Sequence, residues 1–278
     1  MNSKNQSFVS KLLSQILMII ITFSIIMPLY FMFANSFKER SQYVRDALSL
    51  PAPFTLQNYI EAFRGKNFAQ WFKNSIILTF CSAAVTMVIA LLAAYAFAKM
   101  QFKGKRLLFR FIIPLMSVPP VAMIIPQFRM IKVLGMVNTL QSVIVIYTGI
   151  MLPMTIYMFR NFLIDIPDSL LEAARIDGCS RFMTLVKIVA PLSVPVIITS
   201  SVVNIVWVWN ELLIALVFLQ KESLRTLIVG ITLFRGRFTL NVPVILAGLG
   251  IVSIPMIIVY IFAQKHLVEG LLAGSVKG

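Results

Sequence analysis

Histidine occurs once in these 278 residues, at His266, and cysteine twice, at Cys81 and Cys179. A lone histidine near the chain end leaves no credible Ser/His/Asp or Cys/His catalytic set. It also leaves no zinc site, which needs several ligands. Two cysteines do not make a disulfide framework. Cys81 lies in an apolar run and Cys179 in a polar segment, and both read as free thiols. Acidic residues are scarce, 10 against 25 Lys and Arg. A phosphate-cradling loop is missing too: Gly104-Lys105 has neither the upstream glycine nor the following Ser or Thr that would hold phosphates and magnesium. The residue supply therefore points away from covalent chemistry, and no cofactor is expected on this chain.

What is abundant is apolar sequence. Hydrophobic residues make up 59% and charged residues 13%, a membrane composition rather than a soluble one. A net charge of +15 would suggest nucleic acid in a soluble protein. Here the charges sit in short segments between apolar runs, where they anchor spans at anionic lipid headgroups. No nucleic-acid partner is expected.

The runs predict an all-α membrane protein with six transmembrane helices in a single domain. The spans read as about Leu12–Ala34, Ser75–Ala98, Leu107–Gln127, Leu140–Phe159, Leu192–Leu219 and Val242–Ala263. The first is longer than a signal-peptide core and lacks a convincing cleavage site, so it reads as an uncleaved span. The polar stretch Asn35–Asn74 carries Pro51, Pro53, Phe54, Tyr59, Phe63, Phe68, Trp71 and Phe72. It reads as a structured loop whose aromatics lie at the headgroup boundary. Small residues such as Ala83, Ala90 and Ala94 in the second span allow close helix packing. Pro114, Pro119, Pro120 and Pro126 interrupt the third, which predicts a bent helix facing other helices. With six spans both termini share one side. The Lys99–Arg110 cluster, which holds no acid, favours the inside for them.

Glu211 is the one acidic residue placed within a span, where an ionisable group usually faces a bundle interior or aqueous path. Glu211 with Asn210, Trp209 and Trp207 could line a pathway, since aromatic faces stack on sugar rings and amides or carboxylates bond hydroxyls. The competing reading puts Glu211 near the outer end of the fifth span, paired with an arginine or backbone donors. Trp207 and Trp209 are two positions apart and point to different sides of a helix. Asn204, Tyr147 and Thr148 are further pathway candidates, with packing as their alternative.

The longest polar interruption in the second half is Ile166–Pro191, IPDSLLEAARIDGCSRFMTLVKIVAP. Pro167, Asp168 and Ser169 open a helix that Asp168 or Ser169 would cap. Leu170, Leu171, Ala174 and Ile176 give it an apolar side, Gly178 breaks it, and the run Phe182–Val189 follows. Two short amphipathic helices around a glycine, set between spans, predict a docking surface for another protein.

Glu172, Ala173, Ala174, then Gly178, then Ile188 and Pro191 resemble the EAA loop of bacterial ABC-importer permeases, with Ala190 where leucine is usual. Pro51–Tyr59, Trp209–Phe218 and the tail Val268–Gly278 extend the resemblance over nearly the whole chain. It is similar to the carbohydrate-uptake branch, and there to the smaller, six-span subunit of maltose-type permeases. The resemblance implies a cytoplasmic coupling loop (residues 166–191) in which Glu172, Ala173 and Ala174 lie on the coupling helix and the alanines permit close approach to an ATPase. Gly178 would make the turn, and Arg175, Asp177 and Arg181 would offer charged contacts. Gly270, Gly274 and Lys277 of a cytoplasmic tail (264–278) would add contacts with the ATPase. It implies a second homologous permease, two ABC ATPase subunits carrying ATP and magnesium, an extracytoplasmic solute-binding protein and a sugar substrate. The setting would be the bacterial cytoplasmic membrane, with both termini inside. An ion-coupled secondary transporter or channel without ATPase partners is the alternative, disfavoured by the lack of an intramembrane Asp/Glu/His relay.

Overall fold

The computed structural model describes residues 3–64, 67–233 and 241–275. All regular elements among them are helical. In chain order they are α1 (Ser3–Ser36), α2 (Arg40–Arg45), α3 (Gln57–Arg64), α4 (Phe68–Lys99), α5 (Lys105–Leu115), α6 (Ile124–Val133) and α7 (Leu140–Ile164). There follow α8 (Asp168–Ile176), α9 (Arg181–Thr184), α10 (Ala190–Leu192), α11 (Val194–Asn210), α12 (Leu213–Phe218), α13 (Leu227–Leu233) and α14 (Val242–Ser275). Helix is what apolar sequence must adopt in lipid, because it satisfies every interior backbone group within the segment.

By length and composition α1, α4, α7 and α14 can each cross a membrane. Two bent pairs bring the total to six if each pair is one span. The third predicted span is the first such pair: α5 and the segment Pro120–Val133 meet at 103°. Val118 and Pro119 both precede a proline, which drives them from helical angles, and Pro119 is extended at φ −62° and ψ 126°. In the second pair, Arg181–Leu192 and Val194–Asn210 meet at 76°. Pro195 cannot donate to the carbonyl of Pro191, so the ladder breaks there. The reading of Leu192–Leu219 as one continuous helix is corrected at its far end, where α11 stops at Asn210 and α12 begins at Leu213.

Two compact units partition the chain, Met1–Phe68 with Ile231–Ile254 and Ala69–Gly230 with Pro255–Gly278. In the first, the polar stretch after α1 is an ordered wrap. The Phe37 ring stacks on Phe54 at 4.6 Å and tilts against Tyr59 at 5.0 Å. Asn58 donates to the carbonyls of Ser36 and Lys38 at 2.8 and 2.7 Å, and the buried Lys38 ammonium donates to the Asp46 carbonyl at 3.0 Å.

The second unit holds two cores. One gathers Leu78, Ile131, Tyr147, Ile214, Phe218 and Val229; the other gathers Ala90, Ala94, Phe159, Leu163, Leu171 and Val189. Trp71 packs inside this unit. It is buried, its indole N–H donates to the Glu222 carbonyl at 2.7 Å, and its ring lies where a Cβ on Gly230 would fall 2.0 Å away. Asn74 donates to the carbonyls of Ser223 and Arg225 at 2.9 and 3.0 Å, fixing the loop between α12 and α13 to the start of α4. Cys81 and Cys179 are free thiols.

Candidate functional site

The segment after α7 forms short helices on either side of Gly178, and its start differs from the sequence reading. Asp168 and Ser169 do not cap α8; the cap position is Pro167, which offers no side-chain acceptor. Asp168 lies one place inside the helix and turns to Lys99, with Nζ and Oδ1 2.7 Å apart. The same ammonium donates to the carbonyls of Ile166 at 2.5 Å and Ile164 at 3.4 Å. Lys99 thus ties the end of α4 to the exit of α7 and the entry of α8. The Lys99 hydrogen bond first, then its charge, holds the Asp168 carboxyl below the usual carboxylate range, with Arg175 adding to the pull.

The helix stop at Gly178 is a left-handed residue, φ +80°. The N–H of Cys179 bonds the carbonyl of Ala174 at 2.9 Å, and that of Gly178 bonds Arg175 at 3.0 Å. This crossed pair closes the helix end, and the positive φ it requires is why glycine suits the position. Ser180 then starts α9, its hydroxyl accepting from the N–H of Met183 at 3.2 Å. Leu185–Val189 is a turn of π-helix. Pro191 lacks the N–H that a regular ladder would need, and the wider turn absorbs the defect.

The segment's two faces differ from the sequence reading in three places. Leu171 and Ala174 are buried, so Ala173 alone of the alanine pair is outward. Leu170 is exposed, and Ile176, expected on the inner side, is 87% exposed. Glu172, Arg175, Asp177, Gly178, Arg181 and Pro191 are exposed and Ile188 half-buried. With Phe182, Met183 and Val186 also exposed, the result is an apolar face rimmed by both signs of charge. Gly270 and Gly274 lie in α14; Lys277 lies outside the described residues.

The pathway candidates separate into groups. Tyr147, Trp207 and Glu211 come together: the Tyr147 hydroxyl donates to Glu211 Oε2 at 2.6 Å. The Trp207 ring stands edge-on to Tyr147, centroids 5.4 Å apart. Glu211 also accepts from the N–H groups of Ile214 and Ala215 at 2.8 and 3.1 Å. Its carboxylate therefore caps α12 across the break, and its partners are a phenol and backbone donors. Asn204 is buried and donates to Thr155 at 3.1 Å. Thr148 is buried with its hydroxyl unpartnered. Trp209 is buried edge-on to Phe72 at 6.0 Å. Asn210 is exposed and donates back to the Val206 carbonyl at 2.8 Å. Among the described residues no group of three or more His, Cys, Asp or Glu gathers for a metal. Sequence reasoning missed Lys99 as a structural tie, because its partners lie more than sixty positions away and leave no local signal. It missed Arg160 as well.

Residues 86–272 match the family described as binding-protein-dependent transport system inner membrane component. The chain belongs to this family. A sulfoquinovosyl glycerol transport system permease of Agrobacterium fabrum is 35% identical, over 90% of this chain and 88% of that protein. A diacetylchitobiose uptake permease of Streptomyces coelicolor is 30% identical, over 94% and 95%. In fold, the chain is similar to a subunit of a bacterial ABC transporter involved in alginate import. The TM-score is 0.85 at 23% identity, with 95% of this chain and 98% of that one covered. Such a family member is a membrane transport component, a permease rather than an enzyme. Its fold matches that of an ABC-importer permease.

Proposed function

We propose that this permease forms, with a second homologous permease, the path by which an oligosaccharide or related sugar enters a bacterial cell. Two ABC ATPase subunits, holding ATP and magnesium, supply the drive, and an extracytoplasmic solute-binding protein delivers the sugar. Both termini lie in the cytoplasm, with the 166–191 segment facing the ATPases. The sugar assignment rests on the relatives, whose names specify a sulfoquinovosyl glycerol and diacetylchitobiose.

The observation that carries the coupling role is the exposed face of residues 168–191. A helix of nine residues, closed at Gly178, presents Ala173 and Ile176 outward, and Phe182 in the following α9 is exposed too. Large side chains this exposed outside a span are expected to seek a partner surface, and Glu172, Arg175, Asp177 and Arg181 at its rim would set orientation and partner choice. On the lever reading, closure of the ATPases moves this segment, and the tie at Lys99 passes the motion to α4 and α7 as a rigid-body shift. The tail residues Gly270, Gly274 and Lys277 would add a second contact. Tyr147, Thr148, Asn204, Trp207, Trp209, Asn210 and Glu211 are the pathway candidates. Of these, the Tyr147, Trp207 and Glu211 group has the phenol, indole and carboxylate that suit a hydroxyl-rich solute.

Uptake of labelled oligosaccharides into proteoliposomes holding the whole assembly tests the reading. Transport is expected to require internal ATP and the binding protein. Uptake driven by a proton gradient without ATP would overturn it.

A further inference from the structure

A cationic cleft at the coupling-loop side of the second unit has no role in the account above. It opens between the end of α4, the turn after it, the start of α5 and the end of α7, with a volume of about 720 Å³. Lys105, Arg106, Arg110 and Arg160 line it, and no acidic residue is among its lining. Four cations converging without a counter-charge repel one another, and a cleft so lined raises the local concentration of anions.

The cleft is built rather than merely charged. Its floor is aromatic: Phe97 packs on Phe102 at 5.9 Å and on Phe109 at 5.5 Å. The Arg160 guanidinium lies 4.1 Å over the Phe109 ring, which fixes its plane by cation–π attraction. The Arg160 Nε is buried and has no hydrogen-bond partner among the protein atoms. Lys105 is anchored, its ammonium donating to the Met100 carbonyl at 2.8 Å. The turn is made by Gly104 at φ +84°, and the eleven-residue α5 begins there with no side-chain cap. Its positive dipole end therefore adds to the field. Outward along α5, Leu107, Leu108 and Phe111 are exposed, so the cationic mouth continues into an apolar face.

We propose that this cleft binds the phosphate of an anionic membrane lipid, with Arg160 and Arg110 as phosphate donors and the exposed face of α5 along the acyl chains. Planar guanidinium groups suit a phosphodiester. The apolar continuation distinguishes a lipid from a free anion. The site adjoins Lys105 and lies a few residues beyond Lys99, so a bound lipid would brace the turn that follows the α4 tie. The proposal stands whether or not the transported solute is a sugar.

Native mass spectrometry of the full complex, delipidated and titrated with phosphatidylglycerol or phosphatidylcholine, tests it. Arg160→Gln and Arg110→Gln are each expected to weaken phosphatidylglycerol retention about fivefold, the worth of one cation near a lipid surface. Lys103→Gln removes an equal charge from the same turn but outside the cleft, and is expected to leave retention unchanged. Phosphatidylcholine is expected to bind weakly throughout. Equal losses in all three variants would mean a diffuse field and would overturn the proposal. Inorganic phosphate binding as tightly as phosphatidylglycerol would assign the cleft to a free anion, against the lipid. Loss of the second permease from the arginine variants, with lipid retention unchanged, would assign it to a protein contact instead.

Discussion

Lys99 Nζ lies 2.7 Å from Asp168 Oδ1, and the lysine side chain is 6% exposed while that of the aspartate is 75% exposed. The two halves of the pair are therefore unequal. Removing the carboxylate loses a contact that water largely screens. Removing the ammonium strands the Ile166 carbonyl, whose buried partner it is, at a cost of about 1–3 kcal/mol. Lys99→Met is accordingly expected to speed hydrogen exchange in α8 by about tenfold or more, and Asp168→Asn to change it little.

The same pair gives a pH dependence with a definite sign. Asp168 titrates below its ordinary value of 3.8 when folded. A depressed carboxyl contributes stability that is fully present above the unfolded value and is lost as pH falls through the folded one. Protection of α8 against exchange, relative to the intrinsic amide rate, is expected to be flat through neutral pH and to fall only slightly under acid conditions below about pH 4. Asp168→Asn should abolish that acid limb, and an unchanged limb in the variant would assign it to another group.

Gly178 holds φ +80° with open space where a Cβ would point. Gly178→Ala meets no clash and carries only the backbone cost, about 1–2 kcal/mol. Gly178→Pro cannot adopt the angle at all. Membrane insertion is expected to persist in both, while Gly178→Pro uncouples ATP hydrolysis from uptake. Parallel ATPase and uptake assays check this; normal uptake in Gly178→Pro would count heavily against the lever.

Gly230 is the opposite case, since a Cβ there meets Trp71 ring atoms at 2.0 to 2.5 Å. The rigid indole cannot yield cheaply, so Gly230→Ala is expected to destabilise the second unit by about 1–3 kcal/mol. A lowered thermal midpoint in detergent reads this out. Trp71→Phe frees space but removes the indole donor to the Glu222 carbonyl, which keeps the Arg225 N–H at 3.4 Å, so adding it should partly rescue Gly230→Ala.

Glu211 caps α12 through two backbone N–H groups and accepts from Tyr147. Glu211→Gln keeps one acceptor oxygen and should retain folding. Glu211→Leu keeps none, and the first turn of α12 should fray, visible as faster exchange at Ile214 and Ala215. A transport defect in Glu211→Gln without such fraying would mark the carboxylate as a pathway group.

What the sequence disclosed and what it withheld follow from the range of the interactions. The 166–191 segment was legible because its signals are local: Pro167, the amphipathic run and Gly178 lie within one helix and its turn. The bend of the third span was foreseeable from Pro114, Pro119 and Pro120, but the 103° angle was not. The break at Glu211 hid inside an apolar run with no proline or glycine between Asn210 and Leu213. Only the polar pair before a helix start hinted at a cap. Apolar character places Ile176 inward, but it lies two residues past the buried Ala174, about 200° round the helix, and is exposed. Lys99, Trp71 and Arg160 act through partners far along the chain, which periodicity does not register.

The most direct test of the central claim is purification of this chain from its native membrane, in gentle detergent, with mass measurement of the intact assembly. The account predicts one copy of this permease, one homologous permease and two ABC ATPase subunits, with Ile176→Asp and Phe182→Asp together shedding the ATPases while the permease pair survives. A chain that purifies alone, and transports when reconstituted alone, would contradict it.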